Sequence, residues 1–192
     1  GVKLGIEIID CINSVNDKMQ KRFKTPHNCE QIPAENVSIK LAQKDRLLGY
    51  QDEYELYSNQ FIPLIVNADL LDRIKLQGIF DKYFSGGSIM HISCDEKLEE
   101  IEDMKALIKL CAKQGVIYFA INYLLRRCKH GHMTVGSDKI CPICGETITD
   151  FYTRVVGFLT NIKNWHRVRR EKDAPNRQMY KKRDIGNPEG ND

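Results

Sequence analysis

Two short clusters of metal ligands constrain this chain more than any other feature. They are Cys128-Lys129-His130-Gly131-His132 and Cys141-Pro142-Ile143-Cys144-Gly145, with eight residues between them. Each is suited to wrap a tight knuckle, and thiolates with an imidazole suit tetrahedral zinc. Cys141 and Cys144 form one half-site, in which C-x-x-C followed by glycine lets backbone and thiolates converge on one ion. Cys128 is the third ligand. No other cysteine lies nearby, so a histidine completes the set. His132 is favoured over His130, because C-x-x-G-H spacing lets Gly131 turn the chain before the ligand. Four protein ligands with no open position predict a structural metal rather than a catalytic one. The opposing reading is four reduced, unrelated side chains.

The next motif, Arg154-Val155-Val156-Gly157-Phe158, begins 13 residues beyond Cys141. An Arg-Val-x-Gly-aromatic segment of this kind resembles the loop that carries a protein-based glycyl radical. Glycine has two hydrogens on Cα and no side chain. Loss of one hydrogen leaves a centre that can flatten, delocalised between the amide nitrogen and the carbonyl, where a Cβ would crowd it. Glycine also lets a tight loop present that centre at its tip. Five residues alone read more readily as an ordinary hairpin; it is the neighbouring motifs that favour the radical loop.

Composition sets outer bounds. The 192 residues are 42% hydrophobic and 29% charged, ordinary for one globular domain with a real core. Seven cysteines are present. Three belong to the metal clusters; Cys11, Cys29, Cys94 and Cys111 show no paired spacing. Cys11 and Cys111 read as small core residues in apolar helical patterns. A reducing cytoplasm is therefore expected rather than a disulfide framework. No signal peptide and no membrane-spanning apolar run is apparent. The start at Gly1, without methionine, suggests a piece of something longer.

The net charge of +3 concentrates in residues 163–183, where Trp165 and Tyr180 interrupt Lys and Arg. This stretch could touch nucleic acid or phosphate; a solvated helix or arm on an acidic partner is favoured. Residues from Gly186 onward are expected to be disordered.

Along the chain, Leu4, Ile8, Cys11, Ile12, Val15 and Met19 share one helical face. Pro26 ends that helix. Val37 to Leu41 alternates like a strand. Tyr54 to Val66, interrupted by Pro63, reads as a loop entering a short buried segment. Leu70 to Phe84 is helical in part, and Ile89 to Ser93 is a short strand after a Ser-Gly-Gly-Ser turn. Glu99 to Lys113 is the clearest helix, with Ile101, Met104, Leu107, Ile108 and Cys111 as its stripe and Gly115 as its stop. Val116 to Tyr123 suits a buried strand. The alternation is an α/β pattern.

Several ordered landmarks together resemble the C-terminal third of an anaerobic (class III) ribonucleoside-triphosphate reductase large subunit, over residues 1 to about 183. They are Gln31-Ile32-Pro33-Ala34-Glu35-Asn36, Leu56-Tyr57-Ser58-Asn59-Gln60-Phe61-Ile62-Pro63-Leu64, Gly86-Gly87, Tyr118-Phe119-Ala120-Ile121-Asn122-Tyr123, the two metal knuckles, and Arg154 to Phe158. The resemblance implies the C-terminal portion of a ten-stranded α/β barrel (1–124), a zinc-binding module (125–149), a glycyl radical loop (150–165) and a basic tail (166–192). The family's radical glycine falls on Gly157. Three of its four zinc cysteines fall on Cys128, Cys141 and Cys144; the fourth is replaced, with His132 expected there. The segment Pro33, Ala34, Glu35 and Asn36 resembles the family's loop near the substrate phosphates; a plain turn before a strand is the alternative.

The resemblance further implies a function. A separate radical S-adenosylmethionine activase removes a hydrogen from Gly157. The radical passes to a cysteine thiol outside this chain, and a ribonucleoside triphosphate becomes its deoxy form with formate as the reductant. The partners implied are the N-terminal part of the reductase, the activase, nucleotide and formate, without membrane, in a cytoplasmic enzyme that is a dimer when complete. Two alternatives stand beside this: a zinc-ribbon nucleic-acid-binding module without catalysis, and a spare glycyl-radical domain for a damaged enzyme.

Overall fold

The computed structural model describes residues 1–32 and 36–186. The first helix, α1 (Val2–Phe23), ends where Lys24 turns left-handed at φ 56°. The next two helices are α2 (Val37–Leu47) and α3 (Leu70–Asp81). Strand β1 (Met90–Cys94), helix α4 (Ile101–Lys113) and strand β2 (Phe119–Tyr123) form a parallel βαβ unit, pairing Met90 with Phe119 and Cys94 with Tyr123. A four-stranded antiparallel sheet follows, in the order β4-β3-β5-β6, built from β3 (Leu125–Cys128), β4 (Met133–Val135), β5 (Ile148–Arg154) and β6 (Leu159–Asn161). The chain closes through short 3-10 and π turns and helix α5 (Lys182–Gly186).

Alternation within β1 divides its side chains between two environments. Met90, Ile92 and Cys94 enter the main core with Ile74 of α3, Leu107 and Cys111 of α4, Tyr180 and Ile185. His91 and Ser93 turn the other way, toward Asn122 of β2, whose amide meets the His91 ring at 2.7 Å. Leu107 is fully buried, which contributes about 2 kcal/mol. Helices α3 and α4 approach so closely that a Cβ on Gly78 would collide with the Gln114 carbonyl oxygen, and Gly115 at φ 83° then turns the chain toward β2.

Four sequence readings are corrected. Val37 to Leu41 is helical, not a strand, with Ser38, Ile39 and Ala42 turned inward at helical spacing. The α4 stripe runs through Leu107, Leu110 and Cys111, while Ile101 and Ile108 face outward. Val116 to Tyr123 becomes a strand only from Phe119, and Ile117 and Tyr118 are exposed. On α1 the inward residue is Ile9, beside Phe80. The face carrying Leu4 (60% exposed), Ile8, Cys11, Ile12 and Val15 is open, so Cys11 is not a core residue. Among the described residues no helix is long and apolar enough to cross a membrane.

Candidate metal centre and glycine loop

The two knuckles converge. Ligand atoms of Cys128, His132, Cys141 and Cys144 all lie within 4.8 Å of one another. Cys128 ends β3, and His132 lies just before β4. Between them Gly131, at φ 86°, donates its N–H to the Cys128 carbonyl at 2.9 Å. Gly145 at φ 72° repeats the device, donating to the Cys141 carbonyl at 2.9 Å. The Sγ of Cys128 is 3.8 Å from that of Cys144 and 3.6 Å from His132 Nδ1. Cys141 Sγ is 3.8 Å from His132 Nδ1. Tetrahedral zinc with Zn–S of about 2.3 Å and Zn–N of about 2.0 Å needs edges of about 3.8 Å (S to S) and about 3.6 Å (S to N). The donor set and its spacing therefore fit zinc. Burial opposes ionisation of Cys128, yet the backbone N–H groups of His132 and His130 outweigh it and lower the thiol's pKa. Cys141 is lowered likewise, burial being outweighed by the N–H groups of Cys144 and Ile143. His130 stands apart from the cluster, its ring edge-on to His132 at 6.4 Å.

The β5–β6 hairpin carries Gly157 at its tip. Val155 and Val156 are buried against Trp165, while Gly157 and Phe158 are exposed. Val155 N–H donates to the Phe158 carbonyl at 3.1 Å, closing the turn. Arg154 reaches over it, Nη1 donating to the Gly157 carbonyl at 2.7 Å. At the hairpin base, Asp150 accepts from Asn161 at 2.9 Å and pairs with Lys163 at 2.9 Å. The Asn161 and Lys163 bonds hold its carboxyl down to about 2.

Among the described residues, no steric demand explains the glycine at this tip. From Gly5 to Gly145, each glycine either takes a left-handed φ or would bring a Cβ within 3 Å of a neighbour. Gly157 does neither: its φ is not left-handed and a Cβ would meet nothing within 4 Å.

Behind the loop lies an ion network that sequence reading did not find. Arg169, Asp173 and Arg177 are buried, spaced by four, with Asp173 accepting from Arg169 at 3.0 Å and from Arg177 at 2.7 and 2.8 Å. Arg169 continues to Ser38 Oγ at 2.8 Å and Asn59 Oδ1 at 2.9 Å. The Arg-Asp-Arg spacing was the available signal, hidden in a stretch that read as solvated. With Trp165, Arg169, Arg177 and Tyr180 buried, the favoured solvated arm does not describe this segment.

A cavity of about 460 Å³ opens beside the loop, lined by Tyr54, Tyr57, Ile65, Val155, Val156 and Arg177 among others. His91 and Asn122 also border it. Burial, with the charges of Arg177 and Arg154, lowers the His91 pKa against the opposing Asn122 bond. Of the expected phosphate segment, Pro33, Ala34 and Glu35 lie outside the described residues. Asn36 occupies the N-cap position of α2 without a side-chain capping bond, so a helix and not a strand follows it. Cys94 and Cys111 are buried with thiols pushed up to about 12, and Cys29 is buried and raised by that burial.

Comparison with known proteins adds the last finding. A family model described as anaerobic ribonucleoside-triphosphate reductase matches residues 1–180. A solved anaerobic ribonucleotide reductase superposes with a TM-score of 0.84 at 38% identity, covering 94% of this chain and 29% of that one. The anaerobic ribonucleotide reductase from Thermotoga maritima with glycerol in the active site gives 0.76 at 36% identity, covering 90% and 28%. The same organism's enzyme in complex with dATP and CTP gives 0.76 at 38%, covering 89% and 28%. No curated protein matches. The chain thus spans under a third of the length of these relatives.

Proposed function

We propose, from the premise that this chain belongs to the anaerobic ribonucleoside-triphosphate reductase family, that it is the radical-carrying C-terminal part of such a reductase and stores the radical on Gly157. The observation that carries the reading is the glycine itself. Among the described residues neither backbone conformation nor packing calls for it, which supports reading the bare Cα as a chemical requirement.

In this reading a radical S-adenosylmethionine activase takes one hydrogen atom from the Gly157 Cα. The remaining electron spreads over the amide nitrogen and the carbonyl. Arg154 bonds to that carbonyl at 2.7 Å and so holds the plane in which the spin spreads. The radical then takes a hydrogen atom from a cysteine thiol supplied by the N-terminal part. That thiyl abstracts the 3′-hydrogen of a ribonucleoside triphosphate, the 2′-hydroxyl is protonated and leaves as water, formate supplies two electrons and leaves as CO₂, and return of the 3′-hydrogen regenerates the thiyl. Buried Cys29, Cys94 and Cys111 are poorly placed for this role, and Cys11 sits on an outer helix face.

Cys128, His132, Cys141 and Cys144 would hold zinc, whose contribution is to fix the fold of the module from which the hairpin springs. Residues 33–36, ahead of the α2 N-terminus, would lie near the substrate phosphates. Strands β1 and β2 would complete a ten-stranded barrel with the rest of a dimeric enzyme. The open apolar face of α1 is then a surface that the N-terminal part covers.

Oxygen tests the site. A carbon-centred backbone radical traps O₂ and breaks the chain. Activated protein exposed to air is expected to split at Gly157, read by mass spectrometry, and Gly157→Ala to stay whole. An intact activated chain, or a break elsewhere, would remove Gly157 from the role.

A further inference from the structure

The glycine loop is held from behind by a side chain that the radical chemistry does not touch. Arg177 is buried and uses four donor contacts. Nη1 donates to the Arg154 carbonyl and Nη2 to the Val155 carbonyl, each at 2.7 Å. Nε and Nη2 take the two oxygens of Asp173 at 2.7 and 2.8 Å. The guanidinium carbon lies 4.8 Å from the centre of the Trp165 ring. We infer that Arg177 is the positioning residue of the glycine loop, a fork that fixes the two peptide groups leading into Gly157 and so sets where its Cα is presented. The inference takes its functional meaning from the proposed role of Gly157, while its geometry stands apart from that role.

Three features separate a positioning device from a buried ion pair. First, a planar guanidinium makes four bonds at once to two successive carbonyls and both carboxylate oxygens, where an ammonium has only three N–H groups and no fixed fork. Second, the carbonyls it holds belong to the residues that rise into the hairpin tip, three and two positions before Gly157. Third, Asp173, which orients Arg177, also accepts from Arg169, and Arg169 bonds to Ser38 and Asn59. Asn59 borders the same cavity as Val155 and Val156. The loop is therefore referenced to the cavity wall rather than to its own hairpin alone.

Arg177→Lys tests this, because lysine keeps the charge for Asp173 but loses the fork. In the 192-residue chain, amide hydrogen exchange across residues 154–159 is expected to quicken about tenfold, the scale of one lost charge-assisted hydrogen bond. Zinc content and exchange at residues 62–66 should stay as in wild type. In the complete reductase carrying the same change, the Gly157 radical should form but decay about tenfold faster under anaerobic conditions, on the same scale. Arg73→Lys is the control, since Arg73 is also buried and holds the carbonyls of Ile62, Pro63 and Val66. It should loosen 62–66 and leave 154–159 unchanged. Unchanged exchange at 154–159 in Arg177→Lys, or equal loosening there by Arg73→Lys, overturns the inference. If Arg177→Lys does not fold, Asp173→Asn, which releases Arg177 without removing it, is read by the same exchange criterion. A wild-type reductase without a radical at Gly157 would defeat the functional reading, while the exchange result would still decide the fork.

Discussion

The two ligand knuckles and the β5–β6 hairpin both place glycine at a turn, but for opposite reasons. Gly131 and Gly145 sit at φ 86° and 72°, where an L side chain is strained. Gly157 has no such φ, and among the described residues nothing lies within 4 Å of where its Cβ would be. The knuckles need glycine for shape, and that shape brings four candidate ligand atoms within 4.8 Å of one another. Among the described residues the hairpin would accept alanine on shape alone, and hydrogen bonds from Arg154 and Arg177 hold it. A glycine that structure does not need is a stronger pointer to Cα chemistry than one that it does.

Removing the metal should give the largest effect on this contrast. A Cys141→Ser/Cys144→Ser chain is expected to lose stoichiometric zinc and to unfold the 125–149 module, because structural zinc supplies on the order of 10 kcal/mol or more of folding free energy. Elemental analysis with hydrogen exchange checks it. Zinc retained in the double mutant would mean that the cluster is not the site. His132→Ala should lose more metal than His130→Ala.

Next in size are the glycines. Gly131→Ala and Gly145→Ala should each cost about 1 kcal/mol from the left-handed backbone alone, with weaker zinc retention. Gly157→Ala should melt within about 0.5 kcal/mol of wild type, as surface changes do. A Gly157→Ala chain as destabilised as Gly131→Ala would erase the distinction.

A smaller effect concerns thiol reactivity. Buried Cys94 and Cys111, pushed up to about 12, should resist alkylation at neutral pH whether or not zinc is present. Cys128, Cys141 and Cys144 should react only after chelation. Labelling followed by peptide mass spectrometry distinguishes the two sets.

The smallest expected effect is on pH. The folded pKa of His91 lies below its ordinary 6.5, through burial and the charges of Arg177 and Arg154. The unfolded chain therefore binds the proton first as pH falls. The stability held by neutral His91 is complete above 6.5 and is lost as pH drops through that value toward the folded pKa. His91→Gln should flatten this part of the melting profile relative to wild type; an unchanged slope would place the acid sensitivity elsewhere.

These regions were also unequally legible. Ligands of one ion are forced into short spacings, so Cys128, His132, Cys141 and Cys144 could be read directly as a cluster. Helix α4 and strand β1 were visible from periodicity and flanking glycines. Val37 to Leu41 was not, because over five residues period 2 and period 3.6 share too many positions to separate. On α1, the pattern marked an apolar face correctly but not that the described chain leaves it open. The Arg169–Asp173–Arg177 network was missed because charged residues in a basic stretch look solvated until their pairing is seen. Gly157 was legible as a motif, but its freedom from steric demand needed coordinates.

The central claim is tested most directly by low-temperature electron paramagnetic resonance of the chain, combined with the N-terminal reductase portion, after anaerobic incubation with an activase and S-adenosylmethionine. Radical density on the Gly157 Cα, coupled to its one remaining hydrogen, predicts a doublet. That doublet should collapse to a single line when glycine is deuterated at Cα, and should be absent in Gly157→Ala. A signal that survives either change, or its absence from fully activated wild type, would contradict the account.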